Sequence, residues 1–97
     1  MTIVSDNVLR HILRKHRDTT RLMGVRDIEE LRKIIISVIK EPDEAYMDKF
    51  DTKYFLKKID ELYVNTIVVE DSVKTAYLIS TKSYKRFRER KWVQRLF

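Results

Sequence analysis

The stretch AYMDKF-DT-KYFLKKI-DELYV-NTIVVE-DSV-KTAYLIST, residues 45–81, decides the fold. The segments AYMDKF, KYFLKKI, NTIVVE and KTAYLIST are rich in aromatic and β-branched residues, which suit a pleated, half-buried surface. The intervening DT, DELYV and DSV read as turns or short loops. Four short strands with short connections predict an antiparallel meander. Asp51-Thr52 is weak hairpin chemistry, so it leaves the register of the first hairpin open.

Upstream the hydrophobic period lengthens from two residues to between three and four. Ser5 is a good N-cap, and the run DNVLRHILRKHRDTTRL follows it. At about 100° per residue, Val8, Ile12, His16, Leu9 and Leu13 fall within an arc of roughly 140°. His16 therefore lies inside an apolar stripe, and His11 lies on its flank beside Lys15. Gly24 is a candidate C-cap. Asp27 caps a second helix, IEELRKIIISVIKE, with apolar residues at Ile28, Leu31, Ile34, Ile35, Val38 and Ile39. Pro42 ends it. Two helices before a sheet predict an α+β layer pair: two N-terminal helices packed on a four-stranded antiparallel sheet. Residues 83–97 read as a last helix or arm capped by Ser83. Its Tyr84, Phe87, Trp92 and Leu96 share no face, so it is a poor core helix.

Ninety-seven residues allow one domain. We divide it into a core over 1–81 and a basic aromatic helix or arm over 82–97. The chain has no cysteine, which removes disulfides and thiolate chemistry and suits a reducing compartment. One Gly and one Pro exclude glycine-rich phosphate loops and proline-rich linkers. The longest apolar stretch, Ile34 to Ile39, contains Ser37 and is far short of the about 20 residues a membrane span needs. The N-terminus lacks the basic and apolar regions of a signal peptide. A cytoplasmic location without membrane association is expected.

The net charge is +6. Residues 82–95 carry seven basic residues and one acid, so the rest of the chain is balanced. A second basic cluster, Arg10, Arg14, Lys15, Arg17 and Arg21, surrounds the histidine helix. This asymmetry points to a polyanion, most often nucleic acid. Solubility is the bland alternative. Aromatics interleaved with cations in the tail suit base stacking and phosphate contact. They equally suit packing on the chain's own domain or on a second subunit.

Two histidines in one short helix can supply a general base and a general acid. Metal-free RNA cleavage needs one group to deprotonate the 2′-hydroxyl and another to protonate the leaving 5′-oxygen. It also needs cations or hydroxyls around the phosphorane. A core histidine is the alternative for His16. At five residues apart the pair does not have the i, i+4 spacing of a metal site. Asp43 and Asp51-Thr52-Lys53 echo the letters of metal-dependent nucleases. A helix stop and a turn account for both, and no metal or other cofactor is expected. Ser80, Thr81 and Ser83, with Tyr77 and Tyr84 nearby, form a hydroxyl cluster. It suits strand-end capping or, with Lys82, a phosphate cradle.

The order of motifs resembles the phage and mobile-element members of the barnase–EndoU–colicin–RelE-like (BECR) nuclease superfamily. The resemblance rests on H-I-L-R-K-H (His11 to His16), V-I-K-E-P-D-E-A-Y (Val38 to Tyr46) and Y-F-L-K-K-I (Tyr54 to Ile59). I-V-V-E and T-A-Y-L-I-S-T follow in order. It covers roughly residues 5–81. The segment I-S-T-K-S-Y-K-R-F-R-E-R is also similar to the closing strand and helix of the related BrnT toxins. The resemblance implies metal-independent RNA cleavage, with an antitoxin or inhibitor protein as partner. It makes His11 and His16 the helix histidines and Lys57 or Lys58 the strand lysine. The closing threonine is Thr75 by the letters T-A-Y and Thr81 by its place at the strand end. We favour Thr81.

The reading is a metal-independent ribonuclease of toxin or mobile-element type. His11, off the core stripe, is the better acid–base candidate, and His16 acts only at a cleft rim. Thr81 holds a phosphate oxygen. Arg17, Lys57, Lys58, Lys82, Lys85, Arg86, Arg88 and Arg90 meet phosphate, while Tyr84, Phe87 and Trp92 stack bases. The competing readings are a non-catalytic nucleic-acid-binding or regulatory protein of a virus or mobile element, and a homodimer packed through the tail.

Overall fold

The computed structural model describes residues 2–22, 24–59, 61–89 and 94–95. Its elements are α1 (Asp6–Lys15), α2 (Arg17–Leu22), α3 (Ile28–Lys40), β1 (Glu44–Met47), β2 (Lys53–Ile59), β3 (Leu62–Val69), β4 (Ser72–Ile79), α4 (Thr81–Arg88) and β5 (Gln94–Arg95). This is the expected α+β arrangement, with helices preceding an antiparallel four-stranded meander. The strand order is β4-β3-β2-β1-β5, so the two-residue β5 extends the sheet beyond β1.

Local chemistry sets the element ends. Ser5 accepts the Val8 amide at 3.2 Å and starts α1. Asp27 accepts the Glu30 amide at 2.9 Å, and the Glu30 carboxylate accepts the Arg26 amide at 2.9 Å. These bonds satisfy amides at the α3 N-terminus that have no intrahelical partner. The β1 strand stops at Met47, short of the expected Phe50. There Asp48 folds the turn, accepting the Phe50 and Thr52 amides and the Tyr54 hydroxyl at 2.8, 3.0 and 2.9 Å. The segment read as the DELYV loop is largely strand: Leu62 pairs with Ile59 and Tyr63 with Lys58. The last turn is Glu70-Asp71, and Ser72 already belongs to β4. The final helix begins two residues earlier than expected. Ser80, not Ser83, is its cap, accepting the Ser83 amide at 3.2 Å.

Alternation along the strands builds two apolar faces. Val68, Val73 and Ala76 pack with Leu9 and Ile12 of α1 and Leu31 and Ile35 of α3, all buried, with Phe55 at the margin. Full burial of each of these valine, leucine or isoleucine side chains contributes about 1.5–3 kcal/mol. Phe55's neighbours Tyr54 and Leu56 face the other way, in a cluster with Tyr46, Tyr63, Ile79 and Tyr84. Both expected helical stripes therefore pack on one sheet face, and α4 brings Tyr84 to the second.

Two irregularities position the site. The helix read as one run from Ser5 to Gly24 breaks at His16 (φ −122°, ψ 52°). The His16 amide still donates to Ile12 O at 2.8 Å, and its carbonyl accepts the Thr20 amide at 3.1 Å. His16 thus closes α1 and opens α2. The second irregularity is a bulge in β4. Ile67 pairs with Thr75 while Val68 pairs with Val73, so Lys74 is the extra residue. The bulge lets Val73 and Ala76 share the helix face and turns Thr75 and Tyr77 away from it.

Candidate functional site

The edge strand β4 and the end of α1 form the site. Ile3 pairs with the start of β4: its amide donates to Asp71 O at 2.6 Å, and its carbonyl accepts the Val73 amide at 2.9 Å. α1 then packs against β4 and delivers His16 to Thr75 and Tyr77. His16 Nε2 lies 3.3 Å from Thr75 Oγ1. The His16 and Tyr77 rings are 5.6 Å apart, tilted by 32°. Behind Tyr77, Asn65 Nδ2 donates to the tyrosine hydroxyl at 3.4 Å.

A cleft of about 450 Å³ opens here. Arg14, Lys15, His16, Arg17 and Asp18 form one wall, and Tyr77 and Leu78 the other. Three cations against one carboxylate make it an anion-attracting cleft. Burial lowers the His16 pKa below its ordinary 6.5, and the positive charge His11 carries when protonated lowers it further. A neutral imidazole at neutral pH has a lone pair for accepting a proton. His11 is exposed, its ring 6.3 Å from that of His16 in a T-shaped arrangement. On an unbroken helix the pair would diverge by about 140°.

The remaining sequence candidates scatter. Arg17 lines the cleft. Lys57 and Lys58 lie on β2, with β3 between them and β4, about 10 Å away at the usual strand spacing. Lys57 donates from Nζ to Glu41 O at 3.0 Å, at the C-terminal end of α3, where a cation is favoured. Lys58 is exposed, and its amide is taken by Asp43 Oδ2 at 2.7 Å. Tyr84 is stacked on Tyr63, centroids 3.9 Å apart and planes within 1°. Lys82 and Lys85 are exposed on α4. Arg90 and Trp92, and the side chains of Thr81, Arg86, Phe87 and Arg88, lie outside the described residues.

The threonine brought to a histidine is Thr75, the residue of T-A-Y that the sequence reading set second. Tyr77, Arg14 and Lys15, read as members of a hydroxyl cluster and a basic cluster but not named as site residues, line the cleft too. Their signal was present: T-A-Y puts Thr75 and Tyr77 on one strand face, and Arg14 and Lys15 directly precede His16. Asp43 and Asp51 lie at opposite ends of the β1–β2 hairpin, and among the described residues no three His, Cys, Asp or Glu side chains gather as metal ligands. Among those residues, no helix is long and apolar enough to cross a membrane.

The fold and the cleft together define an α+β domain with a basic edge cleft lined by His16, whose imidazole lies within hydrogen-bond reach of Thr75. Neither protein-family models, curated proteins nor solved structures provide a match to the chain.

Proposed function

We propose that the chain is a metal-independent ribonuclease whose base is His16. One observation carries the reading: an imidazole biased toward its neutral form lies within hydrogen-bond reach of a hydroxyl, in a cleft walled by Arg14, Lys15 and Arg17. In this proposal the 2′-hydroxyl of a bound ribose takes the place of Thr75 at Nε2 and gives His16 its proton. The 2′-oxygen attacks phosphorus, and the bond to the 5′-oxygen breaks. His11 protonates that leaving oxygen. The cations, and the Thr75 hydroxyl released from His16, hold the charge that grows on the non-bridging oxygens. The products are a 2′,3′-cyclic phosphate and a 5′-hydroxyl. The resemblance to the BECR superfamily belongs to the same proposal, with Thr75 rather than Thr81 as the closing threonine.

The test is labelled single-stranded RNA incubated in EDTA with the wild type, His16→Ala and His11→Ala. Cyclic-phosphate products that vanish with His16→Ala support the reading. RNA that is shifted on a gel but uncut sinks it and leaves a nucleic-acid-binding module.

A further inference from the structure

Tyr77 has no part in proton transfer, yet three groups fix it in the cleft. Its backbone is held in β4, opposite Asn65 of β3. Its hydroxyl accepts from Asn65 Nδ2, and the His16 ring packs against it. Asn65 is only 2% exposed and fully enclosed, so the hydroxyl is anchored from inside the sheet. The ring itself is partly exposed and forms a wall of the cleft. A rigid aromatic surface opposite Arg14, Lys15 and Arg17 is a two-part receptor, with a flat apolar shelf and a cationic wall.

We propose that Tyr77 is a nucleobase shelf and that the cleft binds one whole nucleotide, the base on Tyr77 and its phosphate against Arg14, Lys15 and Arg17. The proposal rests on the ribonuclease reading for the chemistry at His16 but not for binding. Every base has a π-face, so stacking on tyrosine tolerates sequence. Thr75 and Tyr77 are two residues apart on one strand face, about 7 Å along β4. The reacting phosphodiester then lies at Thr75 and His16, while the shelf holds the adjoining base. The ring is fixed before the ligand arrives, so little side-chain freedom is lost on binding.

The experiment titrates the intact protein with three probes that cannot be cleaved: inorganic phosphate, abasic deoxyribose 3′-phosphate and deoxyadenosine 3′-monophosphate. Binding is followed at the His11 and His16 ring proton signals. The wild type should bind the nucleotide about tenfold more tightly than the abasic sugar phosphate, within the range of single-base stacking. Tyr77→Leu should abolish that difference and leave inorganic phosphate binding unchanged. Tyr77→Phe should retain most of it. Equal affinity of the wild type for nucleotide and abasic sugar phosphate overturns the proposal, with no need for any variant to fold. So does a Tyr77→Leu protein that still prefers the nucleotide. A preference that depends on Tyr77, alongside RNA that stays uncut, keeps the shelf and removes the ribonuclease reading.

Discussion

Thr75 Oγ1 lies 3.3 Å from His16 Nε2, joining residues 59 positions apart in the chain. Neither residue would meet the other in regular structure. His16 must leave the α1 helix, and β4 must bulge at Lys74. Bulges next to sites commonly re-aim a side chain in this way. The contact therefore makes Thr75→Val a sharp test, because valine keeps the shape and removes only the hydroxyl. If the site cleaves RNA as proposed, Thr75→Val lowers the rate by about 10²-fold, the scale of losing one charge-stabilising donor. Thr75→Ser retains most activity. Equal rates for wild type and Thr75→Val would remove the hydroxyl from the mechanism.

His16 also ties stability to pH. Its folded pKa lies below the unfolded 6.5, chiefly because of burial and further because of His11. Between the folded value and 6.5 the unfolded chain binds more protons than the folded one. Stability therefore rises with pH through that window and is fully present above it. A histidine that gained an anionic partner would behave in the opposite sense. His11→Ala removes the smaller cause, so the His16 pKa should climb part of the way back toward 6.5. Proton NMR of the imidazole ring across the acid range measures this directly. A His16 pKa unmoved by His11→Ala would show that the two rings do not interact electrically.

The fold was more legible than the site, for a physical reason. Strands and helices follow from local periodicity, and KYFLKKI matches β2 residue for residue. The ends were harder to place because single side chains set them: Asp48 gathers two amides and stops β1 early, and Ser80 captures the α4 N-terminus ahead of Ser83. The site depended on departures from periodicity. A projected helix puts His16 in the core stripe and His11 on its flank, which favours His11. The break ends α1 at His16, beside Thr75 and Tyr77, which is why the proposed function makes His16 the base. The Lys74 bulge likewise sets Thr75 facing opposite to Val73. No composition rule announces either feature, since neither uses Gly or Pro. The lysines of β2 were legible as lysines, and the expected meander already puts β3 between them and β4, as the sheet order shows.

Thr66 offers a stability test within the core. It is fully buried, and its Oγ1 has no hydrogen-bond partner among the described residues. An enclosed hydroxyl without a partner costs about 1–3 kcal/mol in desolvation. Valine is nearly isosteric and equally suited to a strand. Thr66→Val should stabilise the fold by about 1 kcal/mol, raising the melting temperature by roughly 4–8 °C for a domain of this size. Calorimetry checks it, and a lowered melting temperature would reveal a partner for that hydroxyl in solution.

The β3–β4 turn stores strain at two consecutive residues. Glu70 and Asp71 have φ of 51° and 64°, and Val69 pairs directly with Ser72. Two central residues with positive φ between paired strands make a type I′ turn, which favours Asn-Gly. Glutamate is a poor occupant of that left-handed region, and aspartate only a tolerated one. The double variant Glu70→Asn, Asp71→Gly should therefore gain about 1 kcal/mol, despite the greater freedom glycine gives the unfolded chain. The Asp71 carbonyl that receives the Ile3 amide is backbone, so the variant keeps the bond that leads α1 onto β4. The proposed RNA cleavage and nucleotide binding should be unchanged, because the turn lies at the far end of β4 from Tyr77. Chemical denaturation should move the midpoint upward at constant slope. A midpoint shifted downward would mean that the acidic pair contributes more through its side chains than it costs in backbone strain.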